Sequence, residues 1–264
     1  MSATVPAPAP SLVPTSSGPI RPRAADRVDR GTVHHLELRA GRWRTSGIVK
    51  VDRDVSVGRA ELRGIVVVGG ALLAGELDAR ASLDVRGAIA VTASFRLRGS
   101  LAARAGARAA DLALSGTVES LGELTAERSL GADGIVRAPT LRAPSVRLRG
   151  TAHVPGAIEA TSVDASFLGD SELGEVRART VRLRGPAPNL VRSVLGRAAV
   201  VSVRGIEAES VRLEAVRAEF VRAREIVLGR YAHLLAHEGT VVRAHPTSRI
   251  GPESWTPAPP GLRR

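Results

Sequence analysis

The sequence contains no cysteine, one methionine, a single lysine (Lys50) and only 2% aromatic residues. Without cysteine there can be no disulfide framework and no thiolate metal site, and nothing marks an oxidising compartment. Aromatic side chains normally supply much of a core's buried area. With two Trp, one Tyr and three Phe in 264 residues, the interior must be built from Val, Leu, Ile and Ala, which suits a narrow, layered core. No apolar run reaches the roughly 18 residues of a membrane-spanning helix. Proline interrupts residues 1–20 where a signal peptide needs an apolar segment. The expectation is a soluble, cytoplasmic protein.

The formal net charge is +12, and all but one of the 38 basic residues are arginine. Such a balance favours anionic partners. The lack of aromatic stacking platforms beside the arginines argues against single-stranded nucleic acid as that partner. No Gly-Lys-Ser/Thr phosphate loop occurs, which argues against assembly driven by nucleotide, and no cofactor is implied.

Residues 1–30 are rich in Pro, Ala and Ser and aperiodic, and predict a disordered tail with a basic distal half. Arg21, Arg23, Arg27 and Arg30 give that tail a weak potential contact with anionic membrane, without an apolar anchor. Residues 31–229 carry the ordered signal, and residues 230–264 read as a C-terminal cap and loose tail.

Within 31–229 the pattern is β. Apolar residues alternate in short pairs: Val55/Val57, Ile65/Val67, Leu83/Val85, Phe95/Leu97, Leu112/Leu114, Val146/Leu148, Val181/Leu183 and Val201/Val203. Most pairs are followed by Gly, Ala or Ser, so each reads as a short strand ending in a corner. From Leu77 to Gly106 the chain divides into sixes: LDARAS, LDVRGA, IAVTAS, FRLRGS, LAARAG. The first and third residues of each block are apolar and predicted inward; the fourth, usually Arg, is predicted outward. Further on the step is often five. Gly47, Gly64, Gly99, Gly116, Gly134, Gly150, Gly169, Gly185 and Gly205 recur at intervals of roughly 16–20 residues, with one double gap after Gly64.

Three short strands per turn of about 17–18 residues describe a parallel β-solenoid of triangular section, stable only as a stack because one turn cannot bury its own apolar side chains. About ten turns between Gly47 and Gly229 would form a rod on the order of 50 Å long. Residues one turn apart should lie above one another. Arg80 and Arg98, and Arg86 and Arg104, are then candidate stacked cations for an anionic partner, and Asp78 lies near Arg96.

With strands closed by glycine, as in SVRLRG (145–150), TVRLRG (180–185) and VSVRG (201–205), and with the segment IEAESVRLEAVRAEFVRAREIVLG (206–229), the sequence resembles the bactofilins, polymer-forming cytoskeletal proteins of bacteria. The resemblance covers about residues 32–250. It implies a right-handed triangular β-helix between disordered tails, end-to-end assembly into non-polar filaments without nucleotide, and a scaffolding role. Two features depart from it: the chain is longer than the compact members, and residues 230–250 lack the strand repeat.

The ends of such a rod expose unpaired backbone groups and an apolar cross-section. Val49 and Val51 near the first turn, and Phe220, Val221 and Ile226 near the last, are the candidate end contacts. Two other functions compete. A solitary capped solenoid could bind an acidic partner through its stacked arginines. A left-handed hexapeptide-repeat acyltransferase would need a regular step of six and a loop-borne histidine, whereas His153 is the only histidine between Val49 and Gly229. His233 and His237 have the spacing of a zinc pair on a helix, but Gly239 would end that helix and they read as surface residues of the cap. The expectation is a non-enzymatic, metal-free scaffold whose partner is itself.

Overall fold

The computed structural model describes residues 25–186 and 200–251. The expected tails therefore lie mostly outside the described residues, as does the segment 187–199. All described secondary structure is β. The first half holds β1 (Arg27–His35), β2 (Leu38–Val51), β3 (Val55–Val68), β4 (Leu72–Val85), β5 (Ile89–Val91), β6 (Ser94–Ala103), β7 (Ala107–Ser120), β8 (Leu124–Arg137) and β9 (Leu141–Arg142). The second holds β10 (Ser145–Glu159), β11 (Ser162–Phe167), β12 (Ser171–Arg177), β13 (Thr180–Arg184), β14 (Val201–Glu214), β15 (Arg217–Leu228), β16 (His233–Ala244) and β17 (Arg249–Ile250). Every pairing among them is parallel. The chain is a β-solenoid of about 12 turns.

Each turn contributes three inward pairs. In β2 these are Leu38/Ala40, Trp43/Thr45 and Val49/Val51; in β3, directly above, they are Val55/Val57, Ala60/Leu62 and Val66/Val68. All twelve side chains are buried. Stacking turn on turn builds three columns of aliphatic side chains that meet along the axis, so the core is a thin rod with Trp43, Phe95 and Phe167 as its buried aromatics. Few aromatics are needed because each turn has only to cover its neighbours.

The mixture of fives and sixes follows position in the turn. From Leu38 to Trp43 is five residues, and from Trp43 to Val49 and Val49 to Val55 is six each, so β2 and β3 stack at an offset of 17. Between β14 and β15 all three steps are five and the offset falls to 15. The six-residue corner after the second pair carries the glycine. At Gly116 φ is +117°, and an added β-carbon would collide with the carbonyl oxygen of Gly99 one turn below. Glycine there adopts the left-handed φ and leaves room for the carbonyl of the turn below. The double gap in the glycine spacing is filled by Ala81, which sits in register with Gly64 without a left-handed φ.

Two expectations are corrected by the fold. The solenoid runs beyond 31–229 at both ends: β1 begins at Arg27, and β16 lies in register on β15, so 230–250 continue the stack instead of forming a separate cap. Irregular pairing between Arg222 and Glu225 and between Ile226 and Val227 hides that last turn from a fixed-period search. Ile65 and Val67 are not an inward pair. Gly64 turns the chain so that Ile65 is 45% exposed, and Val66 and Val68 are inward instead.

Candidate interaction surfaces

The first turn is closed by polar side chains. Inward positions of β1 over β2 are Asp29 above Thr45, Val33 above Val49 and His35 above Val51. Asp29 is buried, and its Oδ2 accepts the indole N–H of Trp43 at 3.0 Å and the Nε2–H of His35 at 2.9 Å. Its Oδ1 accepts Nε–H of Arg27 at 3.2 Å, while Arg27 Nη2 donates to His35 Nδ1 at 3.0 Å. Removal from water pulls the Asp29 carboxyl upward, but the hydrogen bonds from Trp43, His35 and Arg27 outweigh it and hold the group below the ordinary carboxylate value. Arg27 and Arg30 thus belong to an ordered strand, not to the basic tail expected there. Arg21 and Arg23 lie outside the described residues.

At the other end the inward residues of β16 are Leu234 above Ala218, His237 above Val221 and Val241 above Ile226. His233 is a correction to the surface reading, being only 1% exposed with its Nε2–H donated to the carbonyl of Gly251 at 3.0 Å. His233 and His237 lie on a strand, and no cluster of three or more His, Asp or Glu poised for a metal occurs among the described residues.

These end turns displace the expected contact residues. Val49, Val51, Val221 and Ile226 are all fully buried, each one turn inside the rod. Phe220 points outward and is half-buried, with the guanidinium of Arg222 5.9 Å from its ring centroid. The residues exposed at the ends are Val28 and Leu36 on one side, and Tyr231, Val242 and Ile250 on the other. Sequence reading missed them because Val28 falls in the stretch read as tail, and the others carry no alternating partner. Among the described residues β1 pairs with β2 alone, and β16 pairs on its outer side only through the two residues of β17.

Outward side chains form columns along the rod. Arg80 and Arg98 lie on the second-strand face and Arg86 and Arg104 at the corner after the third pair, all four exposed, so they form two separate stacks and not one patch. Asp78 is in register with Arg96 as expected. A column that sequence reading did not find alternates in sign over six positions: Arg142, Glu159, Arg177, Glu207, Arg222, Glu238. Arg142 reaches Glu159 at 2.9 Å and Arg222 reaches Glu238 at 2.6 Å. The hydrogen bond from Arg222 holds Glu238 below the ordinary carboxylate range. Turn lengths of 15 to 30 residues between these partners conceal the alternation in the linear sequence. Near the N-terminus Glu61 takes ion pairs from Arg42, Arg44 and Arg59. His153 is a surface residue whose Nδ1 lies 3.3 Å from Glu172.

No helix among the described residues is long and apolar enough to cross a membrane. Comparison with protein-family models, with curated proteins and with solved structures found no match.

Proposed function

We propose that this chain is a non-enzymatic structural protein of the bactofilin kind, which associates end to end into filaments and acts as a cytoskeletal scaffold in the bacterial cytoplasm. The observation that carries the reading is the pair of terminal strands. β1 and β16 each leave most of one backbone edge unpaired among the described residues, beside the exposed apolar side chains Val28 and Leu36 at one end and Val242 and Ile250 at the other. Unpaired parallel edges of this kind template a further strand. Like-to-like contacts at both ends would alternate into an open filament without polarity. The polar cluster of Asp29, His35 and Arg27 satisfies the core's own end, so such a contact would rest on backbone edge and rim and not on an open apolar cross-section. Contact of the N-terminal segment with anionic lipid would be weak alone and would gain from the avidity of a polymer.

Negative-stain microscopy with sedimentation velocity tests this. Filaments or end-to-end dimers are expected, together with their loss in Val28→Asp and Val242→Asp. Single rods of roughly 55–60 Å at every salt and protein concentration would overturn the proposal.

A further inference from the structure

We propose that a trough on the second-strand face, floored by Ala113 and Gly131, docks an extended acidic segment of a partner protein. The outward residues here run in register as Arg96, Ala113, Gly131, Arg147, and in the adjacent column Arg98 lies beside Ser115, Asp133 and Arg149. Two consecutive turns carry small side chains while the turns on either side carry two arginines each. The result is a depression of about 490 Å³ walled at both ends by guanidinium groups.

The charges are uncommitted. Arg96, Arg98, Arg147 and Arg149 are exposed, and among the described residues none makes an ion pair or a side-chain hydrogen bond, whereas Arg108, Arg128 and Arg142 elsewhere on the rod are each paired. Acidic residues flank the trough on its outer sides instead: Asp78 is in register with Arg96, and Asp164 with Arg147. Along this column the order is therefore acid, arginine, two small residues, arginine, acid. A planar guanidinium with no partner is suited to bidentate capture of a carboxylate.

The dimensions select the occupant. Three inter-strand steps separate Arg96 from Arg147, about 14 Å. An extended peptide covers that length in about four residues. Carboxylates at positions i and i+4, with small apolar residues between them over Ala113 and Gly131, would meet both walls. Asp133, the single acid lining the trough, repels a carboxylate from the middle and so reinforces that spacing. No aromatic ring lines the trough, which leaves the bases of a single-stranded nucleic acid nothing to stack on. This docking does not require the filament, and a failure to polymerise would leave it standing.

The test uses the full chain and a fluorescein-labelled Glu-Glu-Ala-Ala-Ala-Glu-Glu peptide, read by anisotropy at low salt. Arg96→Gln with Arg147→Gln removes one guanidinium from each wall. Gly131→Leu fills the floor with no loss of charge, at a position where the nearest atom to an added β-carbon is the Leu112 carbonyl oxygen at 3.9 Å. Arg182→Gln with Arg212→Gln removes the same charge from the same face away from the trough. Saturable binding is expected, weakened about tenfold by each of the first two variants and less than about twofold by the third. The proposal is overturned by absence of saturable binding, by equal losses in both arginine pairs, or by an unchanged affinity in Gly131→Leu. It is also overturned if an oligothymidylate displaces the peptide with the same dependence on the variants. Should a double variant fail to fold, Arg96→Gln alone carries the comparison, since its side chain is exposed and unbonded.

Discussion

The carboxylate of Asp29 accepts the indole N–H of Trp43 at 3.0 Å, across the junction between the first and second turns of the rod. A buried carboxylate in the first turn of the described residues would ordinarily be costly. Here each oxygen has a donor, so the first turn can end the aliphatic column with a satisfied polar layer. Trp43, fully buried, supplies both the donor and the largest inward side chain at that end.

The cluster makes the N-terminal end acid-sensitive. The Asp29 carboxyl is held below its ordinary value in the folded state. Its contribution to stability is present above the unfolded value of about 3.9 and is lost as pH falls through the lower folded value. In a Trp255→Phe background, which leaves Trp43 as the sole tryptophan, emission from Trp43 should shift to the red below about pH 4. Asp29→Asn should destabilise by about 1–3 kcal/mol at neutral pH and flatten the acid limb of the profile. An unchanged limb in the variant would show that other carboxylates govern it.

Two glycines of neighbouring turns should respond in opposite directions. Gly116→Ala places a β-carbon against the Gly99 carbonyl at φ +117° and should cost at least about 1–3 kcal/mol. Gly131→Ala meets only the Leu112 carbonyl oxygen at 3.9 Å, with φ outside the left-handed region, and should stabilise by about 0.4–1 kcal/mol through the unfolded chain. Equilibrium denaturation of both variants against the parent decides it, and a stabilised Gly116→Ala would contradict the corner geometry.

The alternation that marks the core is local, and the sequence therefore reveals it well. Leu77, Ala79, Leu83, Val85, Ile89, Val91, Phe95, Leu97, Leu101 and Ala103, the first and third residues of the five blocks, are all buried. Where alternation lapses, as in the run from Ile65 to Val68, only the glycine before it fixes which residues turn inward. The columns on the outside are legible only as far as the turn length holds constant. Asp78 over Arg96 follows from an offset of 18, whereas Arg177 lies in register with Glu207 thirty residues away because the 187–199 segment intervenes. The ends are hardest to read. A terminal turn is covered on one side only among the described residues, so its pattern is weaker and more polar, and Asp29, His35 and His237 occupy inward positions that in most other turns are aliphatic.

Phe95 lies inward at the centre of the second column, fully buried, between Leu77 below and Leu112 above. In a thin rod the neighbouring turns cannot close over a hole by moving laterally, because their backbones are fixed by ladders on both sides. Phe95→Ala should therefore lie near the upper part of the usual range for such truncations, about 3–5 kcal/mol, and Phe95→Leu well below it. Equal costs for the two would imply a core that relaxes freely.

The alternating column predicts a salt-dependent effect from a single reversal. Glu207 stands in register between Arg177 and Arg222, so Glu207→Arg would place three arginines on successive strands about 4.8 Å apart. Cross-strand like charges repel within the Debye length, which shrinks from about 10 Å at 0.1 M salt to about 3 Å at 1 M. The variant should melt roughly 1–3 °C below the parent at low salt and recover most of the difference in concentrated sodium chloride. Glu207→Gln, which removes attraction without adding repulsion, should fall between them. The surrounding pairs are exposed, so neither change should unfold the protein. A salt-independent deficit in Glu207→Arg would mean that the arginine is lost to packing at the strand and not to its neighbours' charge.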